Sequence, residues 1–168
     1  ATVTNMAAGE IFQALQSGTL DAAEFVGPYN DLALGFHQVA KNYYMPSFVE
    51  PGLATELVVD KKKYQDLPED LQAIIRDVSQ AEYDQVAADF VANDPRALKT
   101  LVEEHGVIVR KFPDDIMEAG AKASVEVIEE LRNSDDPLVK KTANSFVEAL
   151  NLVRTRTEQI DAPFVQAR

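Results

Sequence analysis

An α/β fold with short strands and long C-terminal helices is what this sequence predicts. Runs of β-branched and aromatic residues alternate with amphipathic stretches over roughly the first sixty residues. Helical periodicity then takes over almost to the end of the chain. The strand signals are sparse, about five short ones by their β-branched content and turn boundaries. A parallel sheet needs neighbours on both sides of each strand and helices over both faces. The sequence therefore reads as the second half of a larger α/β protein, changing character near residue 60.

The elements follow in order. Ala1 to Asn5 reads as a short strand. Ala8 to Gln16 reads as a helix, with Ile11, Phe12 and Leu15 on one side and Gly18 placed to end it. Ala22 to Val26 looks extended. Gly27-Pro28 breaks it, and Pro28 suits the first turn of a helix carrying Leu32, Leu34, Phe36 and Val39. Asn42 to Met45 is an aromatic strand, Pro46 to Gly52 a loop, and Thr55 to Asp60 a strand by β-branched content. Lys61-Lys62-Lys63 begins a short solvated helix. Leu67-Pro68-Glu69-Asp70 opens a longer one, with acids in the first turn to complement the helix dipole. Its stripe is Leu71, Ile74, Ile75, Val78, Tyr83, Val86 and Phe90. Asn93-Asp94-Pro95 is predicted to interrupt and restart it, and Gly106 to end it. Val107 to Lys111 reads as a lone strand. Pro113-Asp114-Asp115 opens a helix to about Arg132, and Asn133 to Pro137 caps the last long helix, with Leu138, Phe146, Leu150 and Val153 on one face.

Composition narrows the function. At 168 residues the chain can build one ordinary core. Hydrophobic residues at 46% and charged residues at 26% exclude a disordered polymer. A net charge of −12 argues against nucleic acid and anionic membranes as partners. No apolar run approaches the ~18 residues of a membrane span. The absence of Cys removes disulfides, thiol catalysis and Cys-based zinc sites. The first residues are not a signal peptide, so the expectation is a processed chain or one that starts inside a longer protein.

The window Glu24-Phe25-Val26-Gly27-Pro28-Tyr29-Asn30-Asp31 and the downstream Glu50-Pro51-Gly52 carry the functional signal. Both glutamates stand where an extended run meets a turn, the place an α/β protein puts its ligand groups. Two carboxylates at such points suit a hard cation, or a cation bridging to an anionic solute. Enzyme motifs are missing: there is no Gly-x-Ser-x-Gly elbow, no Walker loop and no dinucleotide fingerprint. His37 and His105 have no metal-ligand partner at helical spacing and read as structural. Tyr43 and Tyr44 read as strand packing, and Tyr29 and Asn30 as helix caps or, alternatively, ligand contacts.

These windows, together with Gly9-Glu10-Ile11, Ala14-Leu15-Gln16-Ser17-Gly18-Thr19-Leu20-Asp21-Ala22, Leu67-Pro68-Glu69-Asp70-Leu71-Gln72-Ala73-Ile74 and Glu103-Glu104-His105-Gly106-Val107, carry a resemblance over nearly the whole chain. It resembles the C-terminal half of DctP-type solute-binding proteins of tripartite ATP-independent periplasmic (TRAP) transporters. Within them it is similar to the branch that binds 2-oxo acids and related small monocarboxylates.

The resemblance implies a periplasmic-binding-protein-like fold of two lobes that close on solute. Residues about 1–60 would cross between lobes and line the cleft, about 61–168 would form the mainly helical remainder, and the N-terminal half would be absent. Glu24 and Glu50 would supply oxygens to a cation, sodium or calcium, that bridges to the solute carboxylate. Phe25 would add a backbone carbonyl and a ring wall. Asn30 and Phe48 complete the expected solute contacts. Phe25 stands where the branch usually has Trp and so lacks the indole donor. Pro46-Ser47-Phe48-Val49 stands where relatives carry a Trp-His pair. The family's solute-gripping arginine belongs to the other half; no arginine here precedes Arg76, which lies mid-helix.

The expected function is thus a periplasmic receptor delivering a 2-oxo or 2-hydroxy monocarboxylate to TRAP membrane subunits, with no chemistry and no organic cofactor. Two other readings stand beside it. One is a ligand-sensing domain of the same fold feeding a signalling partner. The other is a helical dimerisation module, a homodimer packed through Phe146, Leu150, Val153, Ile160 and Phe164 of the C-terminal helices.

Overall fold

The structure, a computed structural model, describes residues 2–49 and 56–167. The chain divides into a first unit ending at Phe112 and a second beginning at Pro113.

In the first unit, α1 spans Ala8–Ser17 and stops at Gly18, whose φ of 74° is a left-handed conformation that costs glycine least. The N–H of Gly18 and its successors returns to Ala14 and Leu15, closing the last turn. Ile11 and Ala14 are the buried face of α1. Helix α2 is Pro28–Ala33, with Pro28 in its first turn as expected.

The longer helix predicted beyond Pro28 does not form. Gly35 takes a φ of 76°, and the chain restarts as a single 3₁₀ turn over Phe36–Gln38. A side chain at Gly35 would meet Gln38 Nε2 at 2.9 Å, the movable end of a flexible side chain, so it is the left-handed φ that disfavours larger residues here.

Strand β1, Asn42–Tyr44, pairs in parallel with β2, Ile108–Arg110, in the register Asn42↔Ile108, Tyr43↔Val109 and Tyr44↔Arg110. The ladder is extended by Ile108 N–H to Lys41 O (2.8 Å) and Met45 N–H to Arg110 O (2.9 Å). The strand expected at Val107 to Lys111 is therefore real, and its partner is the aromatic run. The other strand expectations fail. Residues 2–5, 22–26 and 56–60 join no strand ladder among the described residues, and Ala1 and Thr55 lie outside them. Their β-branched content says that they suit a half-buried pleated surface, not that a partner strand is at hand. Val3, Leu57 and Val58 are exposed accordingly.

Helix α3 is Lys61–Gln65, capped by Asp60, whose carboxylate accepts from Lys63 N–H at 2.9 Å. Helix α4 runs Glu69–Glu103, 35 residues, or about 52 Å at 1.5 Å per residue. The predicted break at Asn93-Asp94-Pro95 is absent, and Pro95 sits inside the helix. Proline there forfeits one i→i−4 bond. Tertiary contact outweighs that loss: α2 packs against α4, with Tyr29 edge-on to Phe90 at 6.1 Å and the N–H of Tyr29 bonded to Asp94 Oδ1 at 3.0 Å. The unit's core is small. Leu101, Ala97, Val107, Phe36, Ile11 and Ala14 are buried, Leu101 at 1% exposure.

In the second unit, α5 (Asp114–Arg132) and α6 (Pro137–Arg156) form a helical hairpin. Asp136 caps α6 through Leu138 N–H (2.8 Å), with Pro137 in the first turn. Arg132 bridges the hairpin, donating to Asn144 Oδ1 at 2.9 Å and to Glu129 Oε1 at 2.6 Å. A π-helical turn, Thr157–Asp161, leads into α7, Ala162–Gln166.

Candidate functional site

The segment 22–26 has no regular structure and delivers Glu24 and Phe25 to the mouth of α2. Glu24 is exposed, and its charge reaches Asp31. Phe25 is half-buried, its ring edge-on to Phe36 at 5.5 Å. That contact seats Phe25 on the buried aromatic of the core and fixes where its backbone lies. Asn30, in the first turns of α2, is half-buried, and its Oδ1 is buried with no hydrogen-bond partner. Neither Tyr29 nor Asn30 caps α2 with its side chain; the cap comes from Asp94 of α4.

Phe48 belongs to a second cluster. It stands edge-on to Phe112 at 5.1 Å, and Phe112 stacks on Tyr44 at 4.9 Å. At 42% exposure Phe48 presents one side to solvent. Glu50, the other expected carboxylate, lies outside the described residues. The structure thus gathers Glu24, Phe25 and Asn30 around α2 and puts Phe48 with the aromatics that follow β1.

Asp31 is the buried acid beside these residues that sequence reasoning did not single out. It is 7% exposed and accepts the Tyr43 hydroxyl at 2.6 Å, while its Oδ1 is buried without a hydrogen-bond partner. Burial pushes its carboxyl above the usual range. The Tyr43 bond works against that shift, and the charges of Asp94 and Glu24 add to it. Tyr43 is itself pushed up strongly, by burial first and then by its bond to Asp31. A signal existed: Asp31 stands four residues after Gly27, on the inward side of a short helix. Nothing in the sequence named its partner.

Three carboxylates, Glu24, Asp31 and Asp94, therefore share one neighbourhood and raise its negative potential. Carboxylate and carbonyl oxygens are the donors hard cations prefer, and a field of this sign attracts one. Among the described residues no three acidic or His side chains converge as a ready cage.

Residues 1–135 match the sequence profile of bacterial extracellular solute-binding protein, family 7. The chain belongs to that family. Family 7 members are solute-binding proteins rather than enzymes. Over 127 residues the chain is 33% identical to a monocarboxylate 2-oxoacid-binding periplasmic protein of Nostoc sp., covering 76% of this chain and 35% of that protein. Among solved family structures, a TRAP periplasmic solute-binding protein from Colwellia psychrerythraea, with bound calcium and pyruvate, superimposes with a TM-score of 0.91 at 32% identity. That match covers 100% of this chain and 51% of the other. One from Pseudoalteromonas atlantica, with bound sodium and pyruvate, gives 0.80 at 30% identity over 98% and 50%. A Bordetella bronchiseptica TRAP solute-binding protein, a mixed-occupancy dimer with calcium and picolinate at one site, gives 0.70 at 28% over 98% and 51%. The family 7 chain described here spans about half the length of these structures and about a third of the Nostoc protein. Its mixed α/β fold is that of one half of the two-lobe TRAP binding proteins.

Proposed function

We propose that this chain is the C-terminal, cleft-lining half of a periplasmic receptor that delivers a small monocarboxylate, of the 2-oxo or 2-hydroxy class, to the membrane subunits of a TRAP transporter. Glu24, the Phe25 carbonyl and Glu50 hold a cation, calcium or sodium, which bridges to the solute carboxylate. Asn30 and Phe48 contact the solute. Residues 1–60 cross to the other lobe, and 61–168 form the helical remainder. What supports this most is the likeness along the entire chain to a protein holding calcium and pyruvate together. The acidic neighbourhood of Glu24, Asp31 and Asp94 fits a cation: Asp31 is raised first by burial, and a positive charge there would relieve the repulsion from Asp94 and Glu24 that adds to it.

The physical sequence is short. A carboxylate leaves water only where charged donors replace its hydration. The cation supplies one such charge on this side, and an arginine of the other lobe supplies the second. Both ligands favour the closed state and shift the population toward it. No bond is made or broken. The exposed Phe146, Val153, Ile160 and Phe164 of the second unit support a homodimer through the C-terminal helices, testable by sedimentation.

Calorimetry of the full-length protein decides the matter. Pyruvate, lactate and longer 2-oxo acids are titrated with and without calcium or sodium, on wild type and Glu24→Gln. At least one of these acids is expected to bind in a cation-dependent way, with a loss of tenfold or more in Glu24→Gln. Binding of none of them, or binding indifferent to Glu24→Gln, removes the proposal.

A further inference from the structure

We infer that the stacked pair His37 and His105 is an acid-released latch, which holds the turn after α2 against the turn that ends α4. The two rings lie 4.0 Å apart between centroids, with planes 24° from parallel. His37 sits in the 3₁₀ turn Phe36–Gln38. His105 sits between the end of α4 and Gly106, whose φ of 66° turns the chain toward β2. Neither ring is a solute or cation contact in the function proposed above.

The latch stands at the entry to the β1–β2 ladder. Lys41, just ahead of β1, donates its Nζ to His105 O at 2.9 Å, and its own carbonyl accepts Ile108 N–H at 2.8 Å. The N–H of Val107, buried at 4% exposure, returns to Leu101 O at 2.9 Å. A pair of three-residue strands is marginal by itself, so its entry depends on anchors of this kind. The lysine and the backbone groups keep their charge state between about pH 8 and 5. The imidazoles change theirs in that range.

Geometry makes the neutral pair the closed one. His37 Nδ1 is buried with no hydrogen-bond partner. A neutral ring can leave that nitrogen as a bare acceptor, with its proton on Nε2. An imidazolium donates from both nitrogens, and a buried, unpaired donor on a charged ring is costly. Turning Nδ1 out to water removes that cost and breaks the stack. Burial is the first cause that opposes a proton on His37, followed by the charges of His105 and Lys41. Helix α2, packed on this turn, carries two titratable groups: Tyr29 lies against Phe90, and Asp31 accepts from Tyr43. At the end of α4, Glu103 lies 3.9 Å from Lys99 and Glu104 is exposed. From β2, Arg110 donates to Asn42. The latch is closed above the ordinary histidine pKa of 6.5 and opens as pH falls below it.

The test uses the full-length protein and reads amide hydrogen-exchange protection factors at pH 7.5 and 5.0. In wild type, Ala40 and Ile108, whose N–H groups bond to Phe36 O and Lys41 O, are expected to lose protection tenfold or more on acidification. The amide of Ala97, buried in α4, is expected to change less than twofold, because the opening is local. His37→Phe keeps a flat ring that cannot take a proton, and its loss at Ala40 and Ile108 is expected to stay below threefold. Unchanged protection in wild type, an equal loss in His37→Phe, or a loss shared by Ala97 overturns the inference. Should His37→Phe not fold, His105→Phe carries the same expectation. Wild type supplies a test that needs no variant. Its imidazole nitrogens are titrated by NMR, and protection at Ala40 and Ile108 is expected to fall with the midpoint of His37. Midpoints more than one pH unit apart overturn the inference as well.

Discussion

Asp94 caps a helix far back along the chain: its Oδ1 accepts the N–H of Tyr29, sixty-five positions earlier in the first turn of α2, at 3.0 Å. Gly27, the residue at the cap position, has no side chain to do this, and α2 has no side-chain cap of its own. One acid of the long helix α4 therefore holds the helix that follows Glu24 and Phe25.

Replacing Asp94 by Ala is expected to cost about 1 kcal/mol, the usual worth of a lost N-cap, at the lower end because the bond is exposed. Urea unfolding of the full-length protein measures it. A midpoint unchanged from wild type would show that the bond contributes nothing.

Gly27 gives the opposite expectation. Its backbone is fully extended (φ 167°, ψ 176°), a conformation any residue adopts. An added methyl would meet the Asp94 carboxylate at 3.5 Å, ordinary contact. Gly27→Ala should change unfolding free energy by no more than about 0.5 kcal/mol. A larger loss would mean that Asp94 cannot shift at all.

Leu101 is the most deeply buried side chain described, at 1% exposure. Leu101→Ala should destabilise by about 2–5 kcal/mol, through lost burial plus the cavity left behind. Thermal denaturation followed by circular dichroism reads this directly, and a loss below that range would mean that the surroundings collapse into the space.

His37 stacks on His105 at a centroid distance of 4.0 Å, and its Nδ1 is buried without a hydrogen-bond partner. Burial lowers its pKa below the ordinary 6.5, and the neighbouring His105 and Lys41 lower it further. The folded state thus binds this proton less readily than the unfolded chain. Stability from the neutral ring is present above pH 6.5 and is lost as pH falls from there to the folded pKa. His37→Phe should lose less stability than wild type between pH 7.5 and 5.5, by urea midpoints. Equal losses in both proteins would place the acid sensitivity elsewhere.

Much of the local structure was legible in the sequence. Gly18 ends α1, Pro28 opens α2, and Asp136-Pro137 opens α6, because capping and dihedral limits act over a few residues. The strand at 108–110 was legible too, and so was the family, carried by the order and spacing of short windows along the chain. Glu24, Phe25, Asn30 and Phe48 were singled out by those windows, but their placement in two groups was not, since it depends on Phe36 and Phe112 as packing partners.

Contacts distant along the chain decided the rest. Asn93-Asp94-Pro95 carries every local sign of a break, yet α4 runs through it where it meets α2. Three β-branched or extended segments found no ladder partner among the described residues, while the aromatic run at 42–44 found one at 108–110. Asp31 looks like any acid on a short helix, and only the fold buries it against Tyr43. Sequence by itself settled where elements start and stop and which family they belong to, because those depend on neighbours along the chain. Tertiary structure alone settled which strand pairs with which and which carboxyl loses its water, because burial and pairing are properties of segments that meet from far apart.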